Sequence, residues 1–491
     1  MFWVGRASPS CSTAWTPNDA VSVVGLKYNG PMLLDRVFDS FVRRSPVSVM
    51  VRGVLEHALA PEAINELFDR TVSSGYTRQL LFSSLVDLMG VVVTKIQPSV
   101  HAAYQEMSDS FGASLTSVYN KLNGLETTVS AALVRHTSEQ LEPVIRSMGG
   151  HFPSWISGYR VRILDGNHLA ATERRLEVLR GSQAGPLPGQ CLVVLEPEVM
   201  LGTEVIPCED GHAQERSLTD DILALVQPKD VWVGDRNFCT IRILFGIAQR
   251  GSNLILRHHG SLPYKALGPV RKRGRIETGT VFEQRVEVTD EQGHTLSLRR
   301  ITVVLDKPTR DGDREIHVLS NLSVKAASAK KIAEVYRKRW TLETMFAELT
   351  RCLCCELNTM GYPRAALFGF CVAVTAYNVL STVKAALRAQ HGHKKIEDEV
   401  SDFYLANQIR ITFHGMSIAI PDEQWTAAFG QRSTKQLGGM LKELATHVRL
   451  SALRRHQRGP KKPVPKRTKY TTEKHVSTAR LLARSSRKIS P

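Results

Sequence analysis

Two short runs constrain this chain more than any other feature: "YRVRILDGN" at 159–167 and "DVWVGDRNF" at 230–238. In each, apolar residues alternate and the alternation ends on an aspartate. Successive side chains of a strand point to opposite faces, so Val161, Ile163 and Asp165 share one face of a first strand, and Val231, Val233 and Asp235 share one face of a second. Sheets of α/β proteins expose the side chains at their strand ends to a cleft. Two carboxylates in such positions make a natural metal site.

Around this pair the chain divides by its apolar period. Its 491 residues, 42% of them hydrophobic, suffice for two or three domains. Residues 1–31 lack periodicity and read as a disordered leader. Residues 32–150 are helical throughout, with Pro61 at a helix start. Their "TSVYNKL" stretch, with Ser117, Tyr119, Asn120 and Lys121, suits a DNA-contacting surface and a solvated helix face equally well. Residues 151–259 alternate strands with helices. "CLVVLEPEVM" and "GTEVIPCED" read as two strands joined by a turn near Gly202, and "NLILRHH" as a later one. Residues 260–318 contain hairpin patterns with a turn at Gly293, a β-rich insertion in the α/β region. Helices resume over 319–390, where "ALFGFCVAVTAYNVLSTVKAAL" is too polar for a membrane span and reads as a buried core helix. Residues 391–455 form a C-terminal helical region, and 456–491 a flexible basic tail.

Charge narrows the partner. Of the formal net charge of +17, +12 falls in residues 451–491, where 13 Lys or Arg meet the single acid Glu473. A surplus of this kind suits a polyanion, held through phosphates without reading sequence. Eight scattered cysteines and no secretory signal point to a reducing cytoplasm. The CxxC pair Cys352 and Cys355 has no second ligand pair at finger spacing, so buried free thiols are the plainer reading.

A third motif, "YRKRWTLETMF" at 336–346, supplies what two aspartates lack. Read as one helix, Tyr336, Arg339 and Glu343 stand at i, i+3 and i+7 on one face. Two-metal phosphoryl chemistry needs several carboxylates around hard cations, and Glu343 completes the set with Asp165 and Asp235. Arginine suits bidentate phosphate recognition, and a phenol donates to a neighbouring oxygen. The plain alternative is an ordinary Arg–Glu helix pair. Arg236 and Asn237, beside Asp235, fit either steadying that ligand, touching DNA or a loop ion pair.

Together these residues resemble a DDE transposase of bacterial insertion sequences, in the fourth insertion-sequence family, whose signature is Y-x2-R-x3-E-x6-K. Tyr336, Arg339 and Glu343 match it, "DGN" at Asp165 and "DRNF" at Asp235 resemble the two aspartate motifs, and the similarity spans roughly 32–390. The resemblance implies a ribonuclease H-like catalytic core with a β-rich insertion, preceded by an all-helical DNA-binding domain and followed by C-terminal helices. It implies two Mg2+ ions, with Mn2+ as substitute, held by Asp165, Asp235 and Glu343. It also implies cleavage at the terminal inverted repeats, joining of the 3′ hydroxyls to target DNA, and a homodimer on double-stranded DNA in the bacterial cytoplasm, associated with the nucleoid and not with membrane. Tyr336 and Arg339 would then position phosphate. Two departures stand out. Thr350 occupies the signature lysine position, with Arg351 next to it as a shifted basic contact, and residues 253–330 contain no tryptophan, only Tyr264 and Phe282 as aromatics. The alternatives are a nuclease on the same core without strand transfer and a non-catalytic DNA-binding relic.

Overall fold

A computed structural model of the chain describes residues 34, 36–73, 80–169, 176–180, 185–309, 312–357, 359–456 and 475–489. The expected leader lies outside the described residues.

The strands are β1 (Arg160–Leu169), β2 (Pro186–Leu187), β3 (Gly189–Glu196), β4 (Leu201–Cys208), β5 (Asp230–Gly234), β6 (Asn253–Arg257), β7 (Lys265–Ala266), β8 (Arg271–Ile276), β9 (Gly279–Thr289), β10 (Thr295–Leu305), β11 (Glu315–Ser320) and β12 (Val476–Ser477). One ten-stranded mixed sheet runs in the order β4-β3-β1-β5-β6-β11-β10-β9-β7, with β8 also paired to β9. Its first five strands have β1, β5 and β6 parallel and β3 and β4 antiparallel, consistent with a ribonuclease H-like core. The β-rich segment does not form a separate sheet: β11 pairs directly with β6, so the insertion prolongs the sheet that carries β1 and β5.

The face assignments hold. Val161, Ile163, Val231 and Val233 are buried in one core cluster, while Leu164 and Trp232, pointing the other way, belong to another. Among the described residues seven helices precede the sheet, beginning with Asp39–Arg44 and ending with Thr127–Ser147. Pro46 and Pro61 open two of them, where a missing N–H costs nothing, and Ser99 and Ser114 cap two more by accepting from Ala102 and Ser117. This helical region shares its core with the sheet, since Phe82, Leu85 and Met89 pack in the same cluster as Ile163 and Phe368.

The spine is the helix Pro363–His391. It is long and apolar enough to cross a membrane, but 89% of its most apolar window is buried inside the protein. It is therefore the core helix that the interrupting polar residues suggested. Asn378, fully buried within it, clamps β4 by accepting from the Gly202 N–H and donating to the Gly202 carbonyl, both at 2.8 Å. The turn that joins β3 and β4 falls near Gly202 as expected, with Met200 at φ +59°, and a Cβ on Gly202 itself would stand 2.8 Å from Val374 Cγ1.

Two further expectations change. Residues 336–346 do not form one helix: Ala329–Arg337 and Trp340–Arg351 are separate, joined through Lys338 and Arg339. At the joint, Arg339 N–H bonds to the Tyr336 carbonyl and Thr341 N–H to that of Lys338, a tightened i→i+3 turn. The tail is also not flexible throughout. β12 pairs in parallel with β2, helix Thr478–Ile489 follows it, and Arg480 bonds Asp210 at 2.7 Å. Residues 457–474 lie outside the described residues.

Asn378→Leu leaves both Gly202 backbone groups buried without partners. Chemical denaturation is expected to show a loss of about 2–5 kcal/mol.

Candidate active site

The parallel pairing of β1 and β5 sets Ile163 opposite Val233. Asp165 and Asp235 each lie two residues further on, so both carboxylates emerge side by side from the face that carries those apolar residues. Asp165 accepts from its neighbour's N–H, Gly166, at 3.0 Å. Asp235 ends the ladder of β5 and caps the short turn Arg236–Phe238, accepting from Asn237 N–H at 2.7 Å.

The helix pair after β11 closes the site from the same side. Arg339, at the joint, donates to Asp165 through Nη1 and to Glu343 through Nη2, the latter at 2.8 Å. It therefore ties the first strand to the second helix of the pair. The Arg339 side chain is only 13% exposed. Burial works against its charge, but Asp165, Tyr336 and Glu343 outweigh burial and raise its pKa. Tyr336 is buried beside it, and burial lifts its phenol above the ordinary range, with Arg339 opposing. Burial also pushes Asp165 up to about 6, against the pull of Arg339 and with a further push from Asp235 and Glu215.

The sequence-derived residues thus divide. Asp165, Asp235, Glu343, Arg339 and Tyr336 converge despite the break in the helix. Arg236 lines an adjoining cavity of about 530 Å³ together with His168, Glu215, Asn237 and His259. Arg351 does not join the carboxylates: it lies by Cys352 and Glu348, about 80° around the helix from Glu343. Thr350 turns back onto its own helix, donating to the Phe346 carbonyl at 3.0 Å. Lys121 places its ammonium over the Phe68 ring, 4.7 Å from the centroid, among the N-terminal helices. A second cavity, about 550 Å³, opens on the other side of the helix Trp340–Arg351, contains none of the three carboxylates and is lined by Trp155, Trp340, Lys384 and Asp402.

Sequence reasoning missed Glu215. It stands 50 residues after Asp165 in a turn with no motif around it, yet it accepts from Asn237 Nδ2 at 3.0 Å and its charge is felt at Asp165. The only signal is an acid opening the helical segment after the first hairpin strands.

The donor set suits a hard divalent cation, because every candidate ligand is a carboxylate oxygen. Among the described residues no three His, Cys, Asp or Glu side chains stand at metal-ligating spacing. The Arg339 guanidinium lies between Asp165 and Glu343 and supplies the compensating positive charge there.

Residues 157–379 match the family described as Transposase DDE domain. This part of the chain, from just before β1 into the core helix, is a DDE transposase domain, the catalytic domain of a DNA transposase. DDE transposases act on DNA and generally use divalent metals. No curated protein matches the chain.

The pKa of Asp165 fixes a sign. Between its ordinary 3.8 and about 6, the folded protein keeps a proton that the unfolded chain has lost, so this group's contribution to stability declines as pH rises through that window. Asp165→Asn removes the effect. Its melting temperature relative to the unsubstituted protein is expected to be higher at pH 7 than at pH 4, read by calorimetry at the two pH values.

Proposed function

We propose that this protein is an insertion-sequence transposase of the fourth insertion-sequence family type, binding the terminal inverted repeats of its element, cutting there and joining the freed 3′ hydroxyls to target DNA. The observation that carries the reading is the bridge that Arg339 makes between Asp165 and Glu343, with Asp235 at the neighbouring strand end, within a DDE transposase domain.

In this reading Asp165, Asp235 and Glu343 would hold two Mg2+ ions, with Mn2+ as a substitute. Such ions activate the attacking hydroxyl and stabilise the leaving oxygen. The rest falls to the chain. Arg339 already pairs with two carboxylates, and a phosphodiester entering the cleft offers it an equivalent anionic partner, so the guanidinium orients the scissile phosphate. Tyr336, buried beside it, donates its hydroxyl to the same assembly. The joint between the two helices aims Arg339 at the strand ends while the buried apolar face of the second helix, with Leu342, Met345 and Leu349, anchors it in the core. With Thr350 in place of the signature lysine and Arg351 turned away, the basic contact at that end of the helix is absent from this side of the site.

DNA reaches the cleft over a basic surface. The sheet-edge strand β8 exposes Arg271 and Lys272, and Lys330 of the helix Ala329–Arg337 lies against its Gly274. That helix leads directly to Arg339. Arg236, Lys121 and the basic C-terminal tail add further cations. Two ends must be cut together, which calls for a homodimer on DNA, and the setting is the bacterial cytoplasm at the nucleoid.

The test uses duplexes taken from the DNA that flanks the coding region. Asp165→Ala, Asp235→Ala and Glu343→Ala are each expected to abolish Mg2+-dependent cleavage in gel assays while leaving duplex binding intact. Retained cutting by any one of them sinks the assignment. Pre-cleaved ends supplied with a target plasmid are expected to yield joined product; cutting without joining would instead identify a nuclease.

The surface makes a separate prediction. Arg271→Ala/Lys272→Ala should weaken binding to all duplexes alike and lower the slope of log affinity against log salt by about 2. Fluorescence anisotropy across a salt series reads both effects.

A further inference from the structure

The residues that follow the two aspartates, Gly166 and Asn237, meet at one side chain that belongs to neither motif. Glu215 opens the turn Glu215–Leu218 after β4, and its Oε2 accepts from Asn237 Nδ2 at 3.0 Å. Asn237 in turn gives its backbone N–H to Asp235 Oδ1 at 2.7 Å. On its other side the Glu215 carboxylate occupies the space that a side chain at Gly166 would need. A Cβ at 166 would overlap Oε1 and stand 2.9 Å from Cδ. Gly166 N–H is the donor to Asp165 Oδ1. One carboxylate thus touches the backbone beside the first aspartate and reaches the second through a single residue, Asn237, whose side-chain amide and backbone N–H face the two carboxylates.

This contact matters because Asp235 is the first residue beyond the paired part of β5, so the ladder does not fix its side chain. Its carboxylate is oriented by the turn it caps, and the conformation of that turn is held from outside by the bond between Asn237 and Glu215. The arrangement also accounts for two motif residues together: glycine after the first aspartate leaves room for the carboxylate, and asparagine two positions after the second supplies its donor.

We infer that Glu215 is a positioning residue for the Asp165–Asp235 pair, acting through Asn237 and requiring glycine at 166. The inference rests on the reading of Asp165 and Asp235 as the catalytic carboxylates. Glu215 orients these groups without itself touching DNA.

The test uses the full chain, the same flanking-DNA duplexes and three readouts: single-turnover cleavage with Mg2+, duplex affinity without divalent ions, and the rise in melting temperature produced by Mn2+ in the absence of DNA. Glu215→Ala is expected to slow cleavage about 10–100-fold, the range seen when a group that orients metal ligands is lost, with duplex affinity unchanged and the Mn2+ shift reduced. Glu215→Gln, whose amide oxygen still accepts from Asn237, should recover most of the rate and of the shift. Asn237→Ala approaches the same bond from its other end. It should match Glu215→Ala, and the double substitution should be no slower than either alone.

Wild-type cleavage and an unchanged Mn2+ shift in Glu215→Ala would overturn the inference. So would Glu215→Gln behaving as Glu215→Ala, or duplex affinity falling in step with cleavage, which marks a general structural role. Failure of the underlying reading looks different: Asp235→Ala would then cut at the wild-type rate and keep the full Mn2+ shift, and the positioning role would fall with it. The Mn2+ shift reports whether or not a given duplex is cut.

Discussion

The site is organised around a problem of like charges. Parallel pairing of β1 with β5 brings Asp165 and Asp235 to adjacent strand ends, and Glu343 and Glu215 approach from two other directions. Carboxylates crowded away from water repel one another and lose hydration, and the raised pKa of Asp165 records both effects. Arg339 answers this with one guanidinium shared between Asp165 and Glu343. The same interaction fastens the second helix of the pair to the first strand of the sheet, so charge compensation and tertiary closure are one contact. In the proposed reading a cation competes with Arg339 for these carboxylates, and a phosphate competes with the carboxylates for Arg339.

Support for that contact comes from the same face of the sheet, where the core helix shares a cluster with Ile163, Val233 and Leu342. The core helix Pro363–His391 packs against β4, against the long N-terminal helix Thr127–Ser147 and against Thr434–Thr446 near the C-terminus. Its polar grip on β4, from Asn378 to Gly202, fixes the edge farthest from the insertion. On the opposite side, Arg299 of β10 reaches buried Glu283 and the carbonyls of Leu322 and Ala327, just before the helix that carries Tyr336. A buried pair of this kind fixes geometry at the cost of desolvation. The insertion is thereby coupled to the helix pair that completes the site.

Several parts of this arrangement were legible in the residues. The alternation ending on Asp165 and on Asp235 needs only the two-residue period of a strand. The polar interruptions of the core helix separated it correctly from a membrane span. The joint at Lys338 and Arg339 was not legible, because neither proline nor glycine marks it and every residue there tolerates helix. The docking of β12 on β2 was hidden too, since a lysine-rich composition says nothing of a two-residue strand that finds its partner some 290 positions earlier. Arg351, adjacent in sequence to the place of the missing lysine, lies about 80° around the helix from Glu343, a rotation that sequence proximity does not convey.

The sequence by itself determined local geometry and chemistry: which faces of β1 and β5 are apolar, where each aspartate falls on them, and that Tyr336, Arg339 and Glu343 travel together within two helical turns. Those follow from backbone periods, which act over a few residues. Only the tertiary structure decided that Arg339 would bridge Asp165 and Glu343, that Glu215 would brace Gly166 and Asn237, and that the insertion would continue the sheet that carries β1 and β5. These depend on strand pairing and on packing between segments tens to hundreds of residues apart, and no local period carries that information.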